Sequence, residues 1–470
     1  MRLGPVLGAD AHRARRLALV ACLDAPVLLM GNGNIPRNIP INLLPFRQDS
    51  NFLYFTGCDL PGAAALILGD RCELFLPLPA EDDAIWHGET PGLEELRVAY
   101  GVDVIRDSEE LVAACECVVG PLMTLAVSDP TRCALAAELV ETPLSFGRQY
   151  GSRPLAEAVI AMRRVKDSLE IAEHRKAAAV TEAAHRAAMA ATHPGGHERQ
   201  IAALFDAVVA SQGCVPGYGS IVTVRGDILH NPHYVHGLEG ENLLLLDGGA
   251  ERDSGYGADV TRTWPVSGRF EPRAKAAYEA VLESQRCSIA LCRAGTRYRD
   301  VHLESARVLA RWLIDEGLLT CGVDEALETG AHAMFYPHGV GHLLGLDVHD
   351  LEGFGDLAGY APDRERDEVF GISYLRLDLD LEPGNIVTIE PGFYVVPNIL
   401  NNAGFRELHA SRLDFDKAAS WIGFGGIRIE DNVLITPDGP DVLTEAIPKS
   451  VSAIEELVGS GPTVDQRFDA

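Results

Sequence analysis

The spacing of apolar and polar residues divides the chain into two parts that differ in pattern. In the first third, an amphipathic N-terminal helix precedes the strand-like run APVLLM; the runs AAALILG, CELFLPL and CVVG follow, with the helical stretch GLEELRVAYG between the last two. Short apolar runs bounded by turn residues are typical of buried strands. Their alternation with helices predicts an α/β domain with a mixed sheet.

The second part begins with a long helix. Asp167 precedes the helical segment, and Glu170 follows three residues later, which is the spacing of a capping box. We therefore predict domains 1–165 and 166–470. Beyond the first helix, two more long amphipathic helices lie between strand pairs, which predicts an α+β layer with helices behind the sheet. Residues 398–420 lack clear periodicity, and we expect a long loop near the functional site.

Composition and charge narrow the possible partners. The 470 residues carry a net charge of −28, and no cluster of Lys and Arg suited to a nucleic acid is present. The ten cysteines are scattered without a C-x-x-C pair, as in proteins of a reducing compartment. No apolar stretch is long enough to span a bilayer. We expect a cytoplasmic protein that binds neither nucleic acid nor membrane.

Four acidic residues occupy positions where a strand would carry apolar ones. Asp247 ends LLLLD, Asp259 follows a glycine-rich turn, Glu390 ends NIVTIE, and Glu430 lies in GGIRIEDNV. For any one of these carboxylates alone, a capped turn or a buried ion pair is a better explanation than a metal site. Four of them with His342, however, supply the charge that two divalent ions balance. Such an oxygen-rich set suits Mn²⁺ or Co²⁺.

Several sequence blocks resemble those of a known family. DGGAERDSGYGADVTRTWP, HGVGHLLGLDVHD, TIEPGFY and GGIRIEDNVLIT, in this order, resemble the signature blocks of the pita-bread metallopeptidases (M24B). The earlier blocks FRQDSNFLYFTGCDLPGAAALIL and AIWHGE resemble the N-terminal domain of the aminopeptidase P (Xaa-Pro aminopeptidase) branch. The resemblance covers essentially the whole chain. It implies a C-terminal pita-bread (creatinase/aminopeptidase) fold preceded by an N-terminal α/β domain.

The resemblance also implies a set of metal ligands. Asp247 and Asp259 would bind one ion, and Asp259 would also bridge to the other. His342 and Glu390 would bind the second ion, and Glu430 would bridge both. The cofactors would be two divalent ions, with Mn²⁺ favoured and Co²⁺ or Zn²⁺ as alternatives.

The same resemblance implies residues that act on a substrate. His338 would lie beside the residue after the scissile bond, and His349 would contact the substrate carbonyl. His230 would line the site, although two other histidines follow closely in the same segment. Arg428 would orient His349 or a product carboxylate.

The implied reaction is removal of the N-terminal residue from peptides with proline in the second position. A metal-bridging hydroxide would attack the carbonyl, and Glu390 would move the proton. A prolidase that cleaves Xaa-Pro dipeptides with the same metal set is an alternative, and a non-catalytic pita-bread binding protein is a more remote one. Self-association as a dimer or tetramer is also expected. Trp264 and Tyr394 are interpreted as packing residues.

Overall fold

The computed structural model describes residues 4–79 and 83–468, which form two compact units. The first unit holds the described residues up to Arg163 together with Leu351–Ala358, and the second holds Arg164–Asp350 and the residues from Gly359 onward. The predicted domain limits, 1–165 and 166–470, stay a prediction. Leu351–Ala358 lie within the second predicted range but group with the first unit.

The first unit contains a five-stranded mixed sheet with the strand order β4-β3-β2-β1-β5. β2 pairs antiparallel with β1 and β3, whereas β5 runs parallel to β1 and β4 runs parallel to β3. The predicted α/β domain with a mixed sheet is confirmed. The strands are β1 (Val27–Met30), β2 (Ala64–Leu68), β3 (Arg71–Leu76), β4 (Val104–Asp107) and β5 (Met123–Thr124).

The helices of the first unit are α1 (Ala9–Ala21), α2 (Ser50–Thr56), α3 (Asp83–His87), α4 (Leu93–Tyr100), α5 (Leu111–Glu116), α6 (Pro130–Leu139) and α7 (Arg153–Arg164). α5 and α6 pack against the sheet and form a core with Leu28, Leu66 and Phe75.

The strand predicted for CVVG, residues 117–120, is wrong. These residues form a turn after α5, in which the Val118 N–H donates to the Cys115 carbonyl at 3.0 Å. Val119 is 93% exposed, so the run does not enter the core as a strand would. Three apolar residues are too few to distinguish a strand from the end of a helix.

The second unit contains antiparallel strands in four small sheets among its described residues. Their orders are β10-β8-β7, β11-β14-β15, β12-β13 and β6-β9. The strands are β6 (Val215–Pro216), β7 (Ile221–Thr223), β8 (Leu243–Asp247), β9 (Ala250–Glu251), β10 (Thr261–Pro265), β11 (Ile386–Ile389), β12 (Gly392–Tyr394), β13 (Gly426–Arg428), β14 (Asp431–Thr436) and β15 (Gly439–Val442).

Helices cover these sheets, with α8 packed on α9 and α10 packed on α11. They are α8 (Ser168–Ala190), α9 (Glu198–Ser211), α10 (Pro272–Leu291), α11 (Tyr298–Asp315), α12 (Val323–Thr329), α14 (Pro397–Leu400), α15 (Ala403–Leu408), α16 (Phe415–Ala419), α17 (Val451–Leu457) and α18 (Val464–Phe468). A short helix, α13 (Asp356–Gly359), lies mostly in the segment that groups with the first unit. Across residues 4–79 and 83–468, no helix has both the length and the apolar character needed to cross a bilayer.

The capping box predicted at the start of α8 is confirmed. The Asp167 carboxylate accepts from the Glu170 N–H at 2.9 Å, and the Glu170 carboxylate accepts from the Asp167 N–H at 3.0 Å. Both hydrogen bonds satisfy backbone donors that have no partner inside the helix, so a local sequence signal determined this boundary.

The long loop predicted for residues 398–420 is wrong. α14, α15 and α16 occupy most of this segment, and the side chains of Asn402 and Asp414 cap the latter two. Helices of four to six residues complete too few turns for an apolar period to show in the sequence.

A buried ion pair joins β10 and β14, the strands that begin just after Asp259 and Glu430. Arg262 on β10 donates to the Asp431 carboxylate on β14 at 2.8 Å, and both side chains are fully buried. Burial raises the pKa of Asp431, but the charges of Arg262 and Lys449 outweigh it and hold the pKa below its ordinary value.

Replacing Arg262 with methionine is expected to lower the free energy of unfolding by about 3–5 kcal/mol, because Asp431 loses a buried counter-charge. Urea unfolding followed by tryptophan fluorescence measures the change. A loss below about 1 kcal/mol, the typical value for an exposed pair, would contradict this account of the core.

Candidate active site

Antiparallel pairing brings the four predicted acidic ligands together in two pairs. Asp247 is the last residue of β8 and lies opposite Thr261 on β10, so Asp259, two residues before Thr261, lies nearby. Glu390 follows β11 directly, and Glu430 precedes β14, the strand that pairs with β11. Strand ends therefore position carboxylates that are far apart in the sequence.

His342 reaches these carboxylates because its segment runs along β11. The Thr388 N–H donates to the His342 carbonyl at 2.9 Å, and Gly341 allows this approach, since a Cβ there would lie 2.2 Å from the Thr388 carbonyl oxygen. The His342 Nδ1 donates to the Leu343 carbonyl at 3.0 Å. The Nε2 atom is consequently the one that faces Asp259 at 3.4 Å and Glu390 at 3.7 Å.

The side chains form overlapping groups whose candidate ligand atoms lie within 4.8 Å of one another. Two groups share Glu430, and a third extends from the same cluster to His349. Two ions about 3.5–4 Å apart need overlapping donor sets of this kind. The groups are Asp247–Asp259–Glu430, His342–Glu390–Glu430 and Asp259–His342–His349.

The electrostatics of this carboxylate cluster favour cations. Burial raises the pKa of Glu390 to about 7 and the pKa of Glu430 well above its ordinary value. Burial also raises the pKa of Asp247. For Asp259, hydrogen bonding to His342 and the histidine's charge outweigh the effect of burial, and the pKa lies below its ordinary value. The buried negative charges repel one another, and divalent ions would relieve that repulsion.

Arg428 contacts the carboxylate cluster directly. Its guanidinium donates to the Asp247 carboxylate at 2.6 Å, to the Thr261 hydroxyl at 2.9 Å and to the Tyr394 hydroxyl at 3.1 Å. The expectation that Arg428 orients His349 or a product carboxylate stays a prediction. Arg428 fixes one carboxylate of the predicted ligand set.

His349 lies at the solvent-exposed edge of the cluster. Its ring packs against that of His342 with a centroid separation of 4.3 Å. The Arg376 guanidinium lies 3.2 Å from the His349 Nδ1. Because a guanidinium can only donate, Nδ1 accepts, and a neutral His349 carries its proton on Nε2.

His338 is held as a neutral ring in the wall of the site. Its Nδ1 donates to the Gly339 carbonyl at 2.8 Å, and its Nε2 accepts from the Tyr394 hydroxyl at 2.9 Å. Burial lowers the pKa of His338 to about 3. Tyr394 is buried, as expected of a packing residue, but its hydroxyl also links His338 to Arg428.

The two remaining predicted residues differ in their relation to the site. Burial and the charge of Arg428 lower the pKa of His230, and the nearby Asp247 opposes this shift, which places His230 within electrostatic reach of the cluster. Trp264 is fully buried, and its indole N–H donates to the Thr192 hydroxyl at 3.1 Å, as expected of a packing residue.

Family models match both parts of the chain. The model of metallopeptidase family M24 matches residues 172–437, which include all five residues of the predicted ligand set. The chain belongs to metallopeptidase family M24. The model of the aminopeptidase P N-terminal domain matches residues 12–120 of this M24 metallopeptidase.

Relatives and solved structures resemble this M24 metallopeptidase over nearly its whole length. Probable Xaa-Pro aminopeptidases of Fusarium vanettenii and Verticillium alfalfae are 35% and 34% identical to it, each over 88% of both chains. The structure of Pseudomonas aeruginosa aminopeptidase PepP matches with a TM-score of 0.81 and 28% identity, covering 98% of this chain and 99% of that one. Zinc-substituted Escherichia coli aminopeptidase P in complex with product matches with a TM-score of 0.79 and 28% identity, covering 96% and 98%. The predicted fold, a pita-bread domain after an N-terminal α/β domain, is confirmed.

Sequence reasoning missed Tyr218, which contacts two of the acidic residues. Its hydroxyl donates to the Asp247 carboxylate at 2.6 Å and also hydrogen-bonds Asp259. Tyr218 lies between β6 and β7, flanked by two glycines, and an aromatic residue in such a turn was the one available signal. Arg376 was missed as well, and nothing in its local sequence indicates its position beside His349.

Replacing Tyr218 with phenylalanine in this M24 metallopeptidase is expected to weaken metal binding about 10- to 100-fold, because Asp247 and Asp259 lose the donor that orients them. Competition titration against a chromophoric chelator measures the dissociation constant. Tyr256→Phe is the matched control, since Tyr256 donates to Glu170 outside the cluster. Equal affinities in the two variants would contradict this role of Tyr218.

Proposed function

We propose that the protein releases the N-terminal residue from peptides with proline in the second position. The observation that carries the proposal is the convergence of one imidazole and four carboxylates into overlapping donor groups at strand ends. The names of the relatives support the choice of substrate among the activities available to family M24. The chain is a metalloaminopeptidase, and its specificity for Xaa-Pro peptides is the proposed part.

The proposed metal ligands follow the two donor groups that share Glu430. Asp247 and Asp259 would hold one ion, His342 and Glu390 would hold the other, and Asp259 and Glu430 would bridge them. The donor set fits: His342 presents a nitrogen lone pair once its Nε2 loses its proton, and the carboxylates supply the charge that two divalent ions neutralise. Mn²⁺ is the favoured ion because oxygen donors dominate, with Co²⁺ or Zn²⁺ as alternatives.

The chemistry divides between the ions and the protein. Two divalent ions, when bound there, would supply hydroxide near neutral pH and polarise the scissile carbonyl. Glu390 would move a proton from the attacking water to the leaving nitrogen, and its side chain, at 17% exposed, is more accessible than that of His342, at 3%. His349 would donate its Nε2 proton to the carbonyl oxygen as negative charge develops there, and His230 would support it.

His338 explains why proline suits the second position. Both of its nitrogens are already hydrogen-bonded, to Gly339 and Tyr394. The ring therefore offers an apolar surface with no donor or acceptor left for a substrate. Proline has no backbone N–H and would leave no donor unpaired against that surface.

The Mn²⁺-loaded protein is expected to remove alanine from Ala-Pro-Ala at least about 100-fold faster, in kcat/KM, than from Ala-Gly-Ala, because only the proline ring fills the apolar wall without an unpaired N–H. Chromatographic detection of released alanine measures both rates. Cleavage of Gly-Pro but not of the tripeptide would identify a prolidase instead. A protein that binds no Mn²⁺ and cleaves neither peptide would support the binding-protein alternative.

Two further proposals concern the cellular location and the oligomeric state of the enzyme. A cytoplasmic location is supported by the ten cysteines, all of which are free thiols. Self-association as a dimer or tetramer is proposed from the family resemblance alone. Light scattering on the purified chain measures the assembly, and a monomer at micromolar concentration would contradict that proposal.

A further inference from the structure

A second buried ion pair lies at the end of the segment that carries the site histidines. The Lys166 ammonium donates to the Asp350 carboxylate at 2.9 Å, and each side chain is only 1% exposed. Lys166 directly precedes the cap of α8, whereas Asp350 directly follows His349. Neither Lys166 nor Asp350 belongs to the proposed ligand or substrate-binding set.

Asp350 closes the loop that runs from His342 to His349. Its backbone N–H donates to the Leu343 carbonyl at 3.0 Å, and its carboxylate accepts from the Asp347 N–H at 3.4 Å. The loop therefore returns to the residue that follows His342. The His349 ring, directly before Asp350, packs against the His342 ring.

Lys166 is itself fixed to the strand that leads to Glu390. The Lys166 N–H donates to the Gly384 carbonyl at 2.9 Å, and the Asn385 side chain donates to the Arg164 carbonyl at 3.2 Å. β11 begins one residue after Asn385 and ends immediately before Glu390. Lys166 thus connects the loop of His349 to the strand of a proposed metal ligand.

The surroundings of Asp350 leave its carboxylate little freedom. A Cβ on Gly345 would lie 2.1 Å from an Asp350 carboxylate oxygen, so the loop backbone closes tightly over the carboxylate. Leu351 follows with a φ of 66°, a left-handed conformation that is costly for leucine. Such a conformation persists only where neighbouring contacts hold it. The buried ion pair is such a contact, because it fixes Asp350, the residue before Leu351.

We propose that Lys166 is a positioning residue for His349, acting through Asp350. It holds the loop so that the His349 ring packs against His342 with its Nε2 available to the substrate carbonyl. The proposal rests on the proposed function, because the role of His349 as a donor to the substrate belongs to it. A pair that contributed only to stability would leave the placement of His349 unchanged when weakened.

The test compares Lys166→Met in two backgrounds with Ala-Pro-Ala as substrate. In the otherwise unchanged enzyme, kcat is expected to fall about 10- to 100-fold with KM nearly constant, as for other groups that orient a catalytic side chain. In the His349→Ala background, the same substitution is expected to reduce kcat less than about 3-fold, because no ring is left to position. Equal losses in both backgrounds would overturn the proposal.

A measurement without substrate or metal separates this proposal from the proposed function. The method is NMR of ¹³C-histidine-labelled, metal-free protein. The signal of the His349 ring is identified by its absence from the spectrum of His349→Ala. Lys166→Met is expected to shift that signal, whereas Leu313→Ala, a destabilising core substitution on α11, is expected to leave it in place. An unshifted signal in Lys166→Met would overturn the positioning role even if the enzyme cleaves Xaa-Pro peptides.

Asp350→Asn serves as the second variant if Lys166→Met does not fold. It keeps the size of the side chain while removing the charge, and it is expected to shift the same His349 signal and to lower kcat in the same way. A folded Asp350→Asn protein with the original signal and original kcat would overturn the proposal. If the unsubstituted enzyme does not cleave Ala-Pro-Ala, the proposed function is overturned. The result of the measurement on the His349 ring signal would still decide the positioning role of Lys166.

Discussion

Glu390→Gln is expected to lower kcat for Ala-Pro-Ala by about 10³-fold or more, since it removes a proposed metal ligand and the proposed proton acceptor together. The amide has the shape of the carboxylate, but it carries no charge and cannot take up a proton at neutral pH. Glu390 follows β11 directly, and its backbone N–H donates to the Val340 carbonyl at 2.8 Å, so the fold around it does not depend on the charge. The variant should therefore keep its circular dichroism spectrum and unfold cooperatively.

The measurement is kcat at saturating Mn²⁺, with metal content determined for each sample. Glu382→Gln is the matched control, because Glu382 lies in the same unit and pairs with Arg164 at a largely exposed position, where its charge is worth little. The control should retain wild-type activity. A Glu390→Gln enzyme within about 10-fold of the wild-type kcat would contradict the role assigned to Glu390.

Removal of metal is expected to abolish activity and to lower the midpoint of thermal unfolding, with restoration by Mn²⁺. The physical reason is the carboxylate cluster, whose buried charges would lose their counter-ions. The loss of stability should depend on pH. The pKa of Glu390 is raised by burial to about 7, and the pKa of Glu430 is also raised.

The direction of this pH dependence follows from the coupling between proton binding and folding. A carboxyl group whose pKa is higher in the folded protein than in the unfolded chain binds its proton more tightly when folded. The resulting stability is fully present below the unfolded-state pKa of about 4.3 and is lost as the pH rises through the folded-state value. For Glu390 that value is about 7.

Thermal unfolding of the chelator-treated protein at several pH values measures this effect. The midpoint of the metal-free protein should fall between pH 6 and pH 8, whereas the Mn²⁺-loaded protein should show a smaller change over the same interval. A metal-free protein that becomes more stable as the pH rises would contradict the account of buried, protonated carboxylates.

The parts of the fold that sequence predicts well are those with local physical signals. The capping box at Asp167 depends on residues three apart, and Asp247 stands out because an acid ends a run of four leucines. Glu390 and Glu430 were recognisable for the same reason, as charges beside apolar strand residues. A buried charge costs free energy unless it is compensated, so its presence in such a run indicates function.

The remaining features depend on contacts that the local sequence does not encode. Tyr218 reaches Asp247 from a turn before β7, and Arg376 reaches His349 from a segment without regular structure. Arg428 reaches Asp247 because β13 and β8 approach one another in the fold. The helices between residues 397 and 419 are too short to show a helical repeat of apolar residues in the sequence.

Crystals of the Mn²⁺-loaded protein, measured at the manganese absorption edge, test most directly whether five distant side chains form one dinuclear centre. We expect two anomalous peaks about 3.5–4 Å apart. Asp247 should contact one peak, His342 and Glu390 the other, and Asp259 and Glu430 both. A single weakly bound ion, or peaks that lie away from these residues, would contradict the account.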